Sequence, residues 1–286
     1  MRFGWIDSHR QEFEVGMMCR VLQISRSGFY AWKDRAPGAR QQRRQELLEQ
    51  IRQVHADSRC TYGSPRVHAE LADQKVKVCV NTVARLMKQA QIRSRVRRRF
   101  IVRTTDSAHG YPVMPNRLDR QFTAEQPDQK WCGDITYVPT DEGFLYLAVV
   151  MDLCSRRIVG WSMADHLQTE LCLDAIQMAL QARRPAAGLL HHSDRGVQYA
   201  SDDYRRLLES KGIQISMSRT GNCYDNAAME SFVGTLKTEL IYHHKYATHQ
   251  EARRSIFQYI ECWYNRRRRH SAIGYKSPEA FEAGLN

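Results

Sequence analysis

Two hydrophobic rhythms divide this chain. Up to residue 92, apolar residues recur every three or four positions, which is helical spacing. In EFEVGMMCRVLQISRSGFYAWK, Val15, Met18, Cys19 and Leu22 lie on one face, and Ser25 is placed to cap a following helix. Residues 10 to 33 therefore read as helix, tight turn, helix, a pattern shared by helix-turn-helix units and plain helical hairpins. Pro37 and Gly38 break it. A long helix with Leu47, Leu48, Ile51 and Val54 on one side comes next. The helix-turn-helix plan then repeats: Pro65 suits a first turn after Ser64, and Asn81 is placed to cap NTVARLMKQA, leaving Arg85 and Lys88 free.

From residue 130 the rhythm changes to strands. KWCGDITYVPT alternates, DEG supplies a turn, and FLYLAVVMDLCS and RRIVGWSMAD follow on short connections, as in an antiparallel meander. TELCLDAIQMALQARR is helical, GLLHHSD a short buried strand, and SDDYRRLLESKG a capped helix ending at Gly212. IQISMSR is a fifth strand, TGNCYDN a polar loop and AAMESFVGTLKTELIY a helix. The order βββαβαβα predicts an α/β fold, a mixed five-stranded sheet flanked by helices, preceded by an all-α helix-turn-helix region. The boundaries expected are an N-terminal helix-turn-helix segment over 1–36, a helical domain with a basic arm over 39–100 and a linker over 101–129. A catalytic core over 130–245 and a C-terminal helix with a basic tail over 246–286 complete the chain.

Charge sharpens this division. Residues 1–130 hold 25 Lys/Arg against 13 Asp/Glu, and residues 131–286 hold 18 of each, so the whole net charge of +12 belongs to the first part. A basic part joined to a neutral one suits a protein that grips a polyanion with one and does chemistry with the other. RSRVRRRF concentrates Arg93, Arg95, Arg97, Arg98 and Arg99 directly behind the candidate recognition helix, as a phosphate-gripping arm would. Arg266, Arg267, Arg268 and Arg269 form a second run, behind a helix with apolar Ile256, Ile260 and Trp263, and read as a DNA or partner-subunit contact. FLYLAVVM, the longest apolar run, is too short to span a bilayer, so no membrane partner is expected. Eight cysteines without CxxC pairs or zinc spacing suggest reduced thiols in a cytoplasmic protein.

Three acids have settings that suit metal chemistry. Asp134 lies in a strand, Asp194 just after one and before Gly196, and Glu230 near the start of a helix. Two Mg²⁺ or Mn²⁺ ions acting on a phosphodiester need a few hard oxygen donors of this kind. Lys237 is two turns beyond Glu230 on the same face, and Asn226 falls roughly on that stripe. Both are candidate DNA contacts, although a lysine there is also an ordinary solvated residue. Asp152 reads instead as a partner of Arg156 or Arg157, and Asp225 as a cap of the helix carrying Glu230. His191 and His192 should point to opposite faces of their strand, which makes a metal pair from both unfavourable. Neither a GxSxG elbow nor a GxxxxGK[ST] loop occurs.

Taken together, KWCGDITYV, YLAVVMDLCSRRIVGWSM, HHSDRGVQY, GNCYDNAAMESFVGTLKTE and YNRRRRHSAIGYKSPEAF resemble the OrfB transposases of the insertion-sequence family that moves by copy-out and paste-in. Upstream, ISRSGFYAW and YGSPRVHAEL match the same family, and the catalytic part also resembles retroviral integrases. The resemblance implies a ribonuclease-H-like core with a DDE triad of Asp134, Asp194 and Glu230, and Lys237 in the place of the family's basic residue. It implies metal-dependent cleavage of double-stranded DNA at terminal inverted repeats, then attack of the freed 3′-hydroxyl on target DNA, by a homo-oligomer on paired ends. The setting would be the bacterial cytoplasm, at the nucleoid. An upstream-frame protein, or a frameshift fusion with it, is a further partner the resemblance admits. A non-catalytic DNA-binding regulator and a cutting-only nuclease of the same fold are the alternative functions.

Overall fold

The computed structural model describes residues 2–36, 38–95, 111–219 and 223–285. The chain divides into two units, Met1–Gln53 and Val54–Asn286. In the first, helices α1 (Arg2–His9), α2 (Val15–Val21) and α3 (Arg26–Lys33) enclose a small core of Ile6, Met18, Cys19 and Phe29. Ser25 caps α3 as expected, its hydroxyl accepting from the Gly28 amide at 3.0 Å. Helix α1 lies upstream of the residues whose spacing predicted a hairpin, so this unit has one helix more than expected.

Helix α4 (Ala39–Asp57) begins in the first unit and ends in the second. Helices α5 (Ser64–Asp73) and α6 (Val80–Gln89) follow and pack on each other. Gly63 and Cys79 hold the N-cap positions of α5 and α6, so Asn81 sits inside the first turn of α6 rather than at its cap.

Five strands make one sheet: β1 (Lys130–Thr140), β2 (Gly143–Asp152), β3 (Ile158–Ala164), β4 (Leu190–Ser193) and β5 (Gln214–Met217), in the order β3-β2-β1-β4-β5. The first three are an antiparallel meander, and β4 and β5 add parallel to β1. Helix α7 (Thr169–Arg183) crosses β2 and β3. It lies so close at Gly160 that a Cβ there would stand 2.2 Å from the Ala175 carbonyl oxygen. Helices α8 (Val197–Ala200), α9 (Asp202–Ser210), α10 (Ala227–Glu239), α11 (His249–Phe257) and α12 (Pro278–Ala283) complete the order, α11 continuing into a π-helical turn over Gln258–Tyr264. Trp131, Ala148, Val150, Ile176, Leu208 and Met217 are among the buried residues of the core.

The segments on either side of the sheet are tied to it. Residues 111–129, expected as a linker, pack on the core: Leu118 is buried, and the Arg117 and Leu118 amides both donate to the Ser216 hydroxyl. Asn265 makes paired 2.9 Å bonds to the amide and carbonyl of Ile158, at the start of β3. Arg183 joins Asp128 to Glu282 of α12. No described helix is long and apolar enough to cross a membrane.

Candidate active site

The parallel register of β1 and β4 brings two carboxylates together. Its last pair is Cys132 with His192, and Asp134 and Asp194 follow two residues further along each chain, near enough for the charge of Asp194 to act on Asp134. Next to Asp134, Gly133 lets the His191 ring pack close against β1, where a Cβ would meet its Nε2 at 3.1 Å. Asp194 leaves the end of β4 in a tight turn, its Oδ1 accepting from the Gly196 amide at 2.9 Å. Helix α10 packs against β1 and carries Glu230 in its first turn. Asp134 and Asp194 are half-buried and Glu230 is exposed, so the cluster opens to solvent on the α10 side.

Asp134 feels both of the other acids. Burial raises the Asp134 carboxyl well above the ordinary carboxylate range, and the charges of Asp194 and Glu230 push it further; the Ile135 amide and Lys237 oppose them. Lys237 is half-buried, with Nζ 4.5 Å from the centre of the Tyr137 ring. Burial lowers its affinity for a proton while Asp134 raises it. The structure thus puts Lys237 beside the acids, not out in solvent. Tyr137, which receives that cation, had no distinguishing signal in the sequence.

This donor set fits a hard divalent cation: oxygens only, mutually repelling, and open on one side. Among the described residues no three His, Cys, Asp or Glu side chains close around a single point. The arrangement is an open rim, not a cage.

The remaining sequence candidates fall into three groups: exposed, turned inward, and outside the described residues. Arg85, Lys88, Arg93, Arg266 and Arg267 are exposed, as a DNA contact requires. Arg97, Arg98 and Arg99 lie outside the described residues. Arg95 turns inward to donate to the Glu239 carbonyl at 2.5 Å. The Arg266–Arg269 run is corrected in its second half. Arg268 is buried and forks onto the Glu239 carboxylate with bonds of 2.8 to 3.0 Å. Burial works against its charge, but Glu239, with Tyr259 and Tyr264, outweighs burial and keeps the guanidinium protonated. Arg269 binds Glu70, Asp73 and the Tyr275 carbonyl. These two arginines are internal clasps, joining the C-terminal segment to α10 and α5.

Asn226 is also corrected. It is buried at the N-cap of α10, its Nδ2 3.5 Å from the Gly133 carbonyl, so it faces β1 rather than an approaching DNA. Asp225 caps nothing: fully buried, it accepts from Asn116, from Arg120 and from the Arg219 amide. Asp152 has the structural role expected, but its partners are the amides of Asp128, Cys154 and Ser155 and the Ser155 hydroxyl instead of an arginine. Both histidines are buried. His192 bonds the hydroxyls of Ser216 and Ser218, His191 meets the Tyr204 hydroxyl, and burial lowers their pKa values to about 4 and about 3.

Family models match along most of this chain: an HTH-like domain over residues 42–100, an integrase core domain over 124–223 and a second integrase core domain model over 211–278. The chain is 44% identical over 284 residues to transposase InsF for insertion sequence IS3A of Escherichia coli K12, covering 99% of this chain and 98% of that protein. It is 46% identical over 264 residues to an uncharacterized 31 kDa protein of insertion element IS600 from Shigella sonnei, covering 92% and 97%. Among solved structures, a simian T-cell lymphotropic virus intasome in complex with PP2A regulatory subunit B56 gamma matches at 14% identity and a TM-score of 0.48, covering 81% of this chain and 74% of that one. The HTLV-2 integrase catalytic core domain in complex with magnesium matches at 16% and 0.42, covering 55% and 98%.

Proposed function

The chain belongs to the insertion-sequence transposase family that includes InsF, and on that footing we propose that it is a polynucleotidyl transferase moving DNA ends. What supports this reading is that the charges of Asp194, at a strand end, and Glu230, on a helix, both act on Asp134 in its strand, as does Lys237. These three carboxylates would hold two Mg²⁺ or Mn²⁺ ions. Divalent ions bound there supply Lewis-acid stabilisation of the oxygens that attack and leave phosphorus in line.

The chain's own groups do the rest. The three acids come from elements locked together by the sheet and by α10, so little reorganisation is needed when substrate arrives. Lys237, held over Tyr137, donates to a non-bridging oxygen of a phosphate next to the scissile one. Asn226 ties the N-terminus of α10 to the backbone of β1 one residue before Asp134, which fixes Glu230 relative to that strand. In the first step water attacks phosphorus and the P–O3′ bond breaks, leaving a 3′-hydroxyl on one fragment of the cut strand and a 5′-phosphate on the other. In the second step that hydroxyl attacks a target phosphodiester, one P–O bond forms as another breaks, and no water is consumed. The substrates are the terminal inverted repeats of the element and a target duplex, engaged in the cytoplasm by an oligomer on paired ends.

Incubating the purified chain with Mg²⁺ and duplexes ending in the repeats that flank its coding region tests this. Joined products support the transferase. Cut products alone indicate a nuclease, and a retained duplex with neither indicates a regulator. Glu230→Gln should abolish joining while leaving DNA retention intact.

A further inference from the structure

A second cationic feature lies round the barrel of α10 from the acids. Counting about 100° per residue, Ser231, Gly234, Thr235 and Thr238 occupy a stripe roughly a quarter-turn from Glu230 and Lys237. Two adjoining cavities, of about 320 and 460 Å³, open along this stripe. They share Arg66, Ser231, Thr235, Arg268 and Ser271, so they form one track. Arg156 lines one end and Arg95 the other.

Positive charge in the track exceeds what the protein neutralises. Glu239 is the one carboxylate among the described lining residues, and Arg268 already occupies both its oxygens. Arg66 uses Nε on the Arg269 carbonyl and lies 5.7 Å over the Tyr62 ring, with no carboxylate bound to it among the described residues. Burial, and then the charge of Arg268, makes its guanidinium easier to deprotonate than usual. His270, which lines the same cavity, is held below its ordinary range by burial and by Arg268, Arg66 and Arg156 together. Small hydroxyl side chains beside crowded, half-answered guanidinium groups are a surface for phosphate oxygens.

We propose that this track binds the sugar-phosphate backbone of the DNA strand running away from the scissile phosphate. The inference rests on the reading of the chain as a DNA transferase, and it adds a backbone subsite on a face of α10 that carries no catalytic acid. From Ser231 to Thr238 the stripe is about 10 Å long, close to three base steps of one strand at about 3.4 Å each. Arg66 would then position the strand, fixing register without reading sequence.

Ser231→Glu and Ser271→Glu each place a carboxylate in the track, from α10 and from the turn at Ser271–Ile273, at exposed positions where folding should be unaffected. Binding of the full-length protein to a duplex copied from the flanking repeats is measured across a salt series. Each variant should bind about tenfold more weakly, with the salt slope reduced by about one. Ser231→Gln, similar in size to Glu but uncharged, should bind within about twofold of the parent. In all three the rise in melting temperature caused by Mg²⁺ should be unchanged, since the acids are untouched. Parental affinity and slope in both Glu variants would overturn the subsite while leaving the transferase reading standing. A parent that retains no duplex would overturn that reading and the subsite with it. Inorganic phosphate that protects the parent but not the Glu variants from heat, with duplex affinity equal in all, would assign the track to a free anion and overturn the backbone assignment.

Discussion

Asp134 binds its proton more tightly in the folded chain than in the unfolded one, because burial and the charges of Asp194 and Glu230 all oppose its ionisation. For an acid whose folded pKa is raised, the stabilising contribution is complete below the unfolded value of 3.8 and is lost as pH rises through the raised folded value. The metal-free protein should therefore lose stability as pH climbs above about 4 towards neutrality, from this group alone. Asp134→Asn keeps an acceptor for the Ile135 amide and removes the repulsion. Its melting temperature at neutral pH, without divalent ions, should exceed the parent's by about 2–4 °C per kcal/mol relieved. Mg²⁺ should then raise the parent's melting temperature but scarcely move the variant's. A parent that melts above Asp134→Asn under chelation would mean that the acids do not strain the free site. At this scale the sequence was informative where a residue's neighbours in sequence are also its partners, as with Ser25 and Gly28, and uninformative where they are not. Arg268 and Arg269 looked like a solvent-facing basic run because Glu239 and Glu70 lie 29 and 199 residues away.

Elements declare themselves through local periodicity, and their contacts do not. The alternation in KWCGDITYVPT marks β1 over its full length, Lys130–Thr140. Nothing in that string says that α7 will cross β3 at Gly160, or that residues 111–129 will lie on the core. Gly160→Ala tests the first of these. Its Cβ would overlap the Ala175 carbonyl and crowd Ala179, so α7 must lift, at a cost of about 1–3 kcal/mol or more. A lowered urea midpoint with an unchanged m-value is the expected result; an unmoved midpoint would mean that α7 shifts freely over the sheet. The clasp at the end of α10 gives a second test. Arg268→Met leaves Glu239 buried with the Tyr259 hydroxyl and no cation, which should cost about 3–5 kcal/mol. Adding Glu239→Leu should recover most of that loss, because the expense lies in the unpaired charge rather than in the absence of the pair. A double variant no more stable than Arg268→Met would put the cost in packing instead.

Across the whole molecule, charge and chemistry are carried by different stretches of one chain. The basic excess lies before residue 131, and the three acids lie after it, in a stretch (131–286) whose charges balance to zero. Separated in this way, attraction for DNA does not have to be built next to carboxylates that would repel it, and metal ions need neutralise only the few acids at the scissile phosphate. Binding and chemistry should then be separable by mutation. Arg85 and Lys88 on α6 and Arg93 just beyond it are exposed and have no carboxylate within salt-bridge distance among the described residues. Replacing all three with Gln should reduce the slope of log Kd against log salt by up to about three and weaken retention of any duplex, whatever its sequence. The Mg²⁺-dependent rise in melting temperature should stay at the parental value. At duplex concentrations high enough to saturate the weakened variant, the rate of joining should return to that of the parent, since the acids are intact. Joining that stays depressed at saturation would mean that these cations act in the chemical step and would couple the two stretches. A slope that does not change would move the main phosphate contact to other basic residues of the chain.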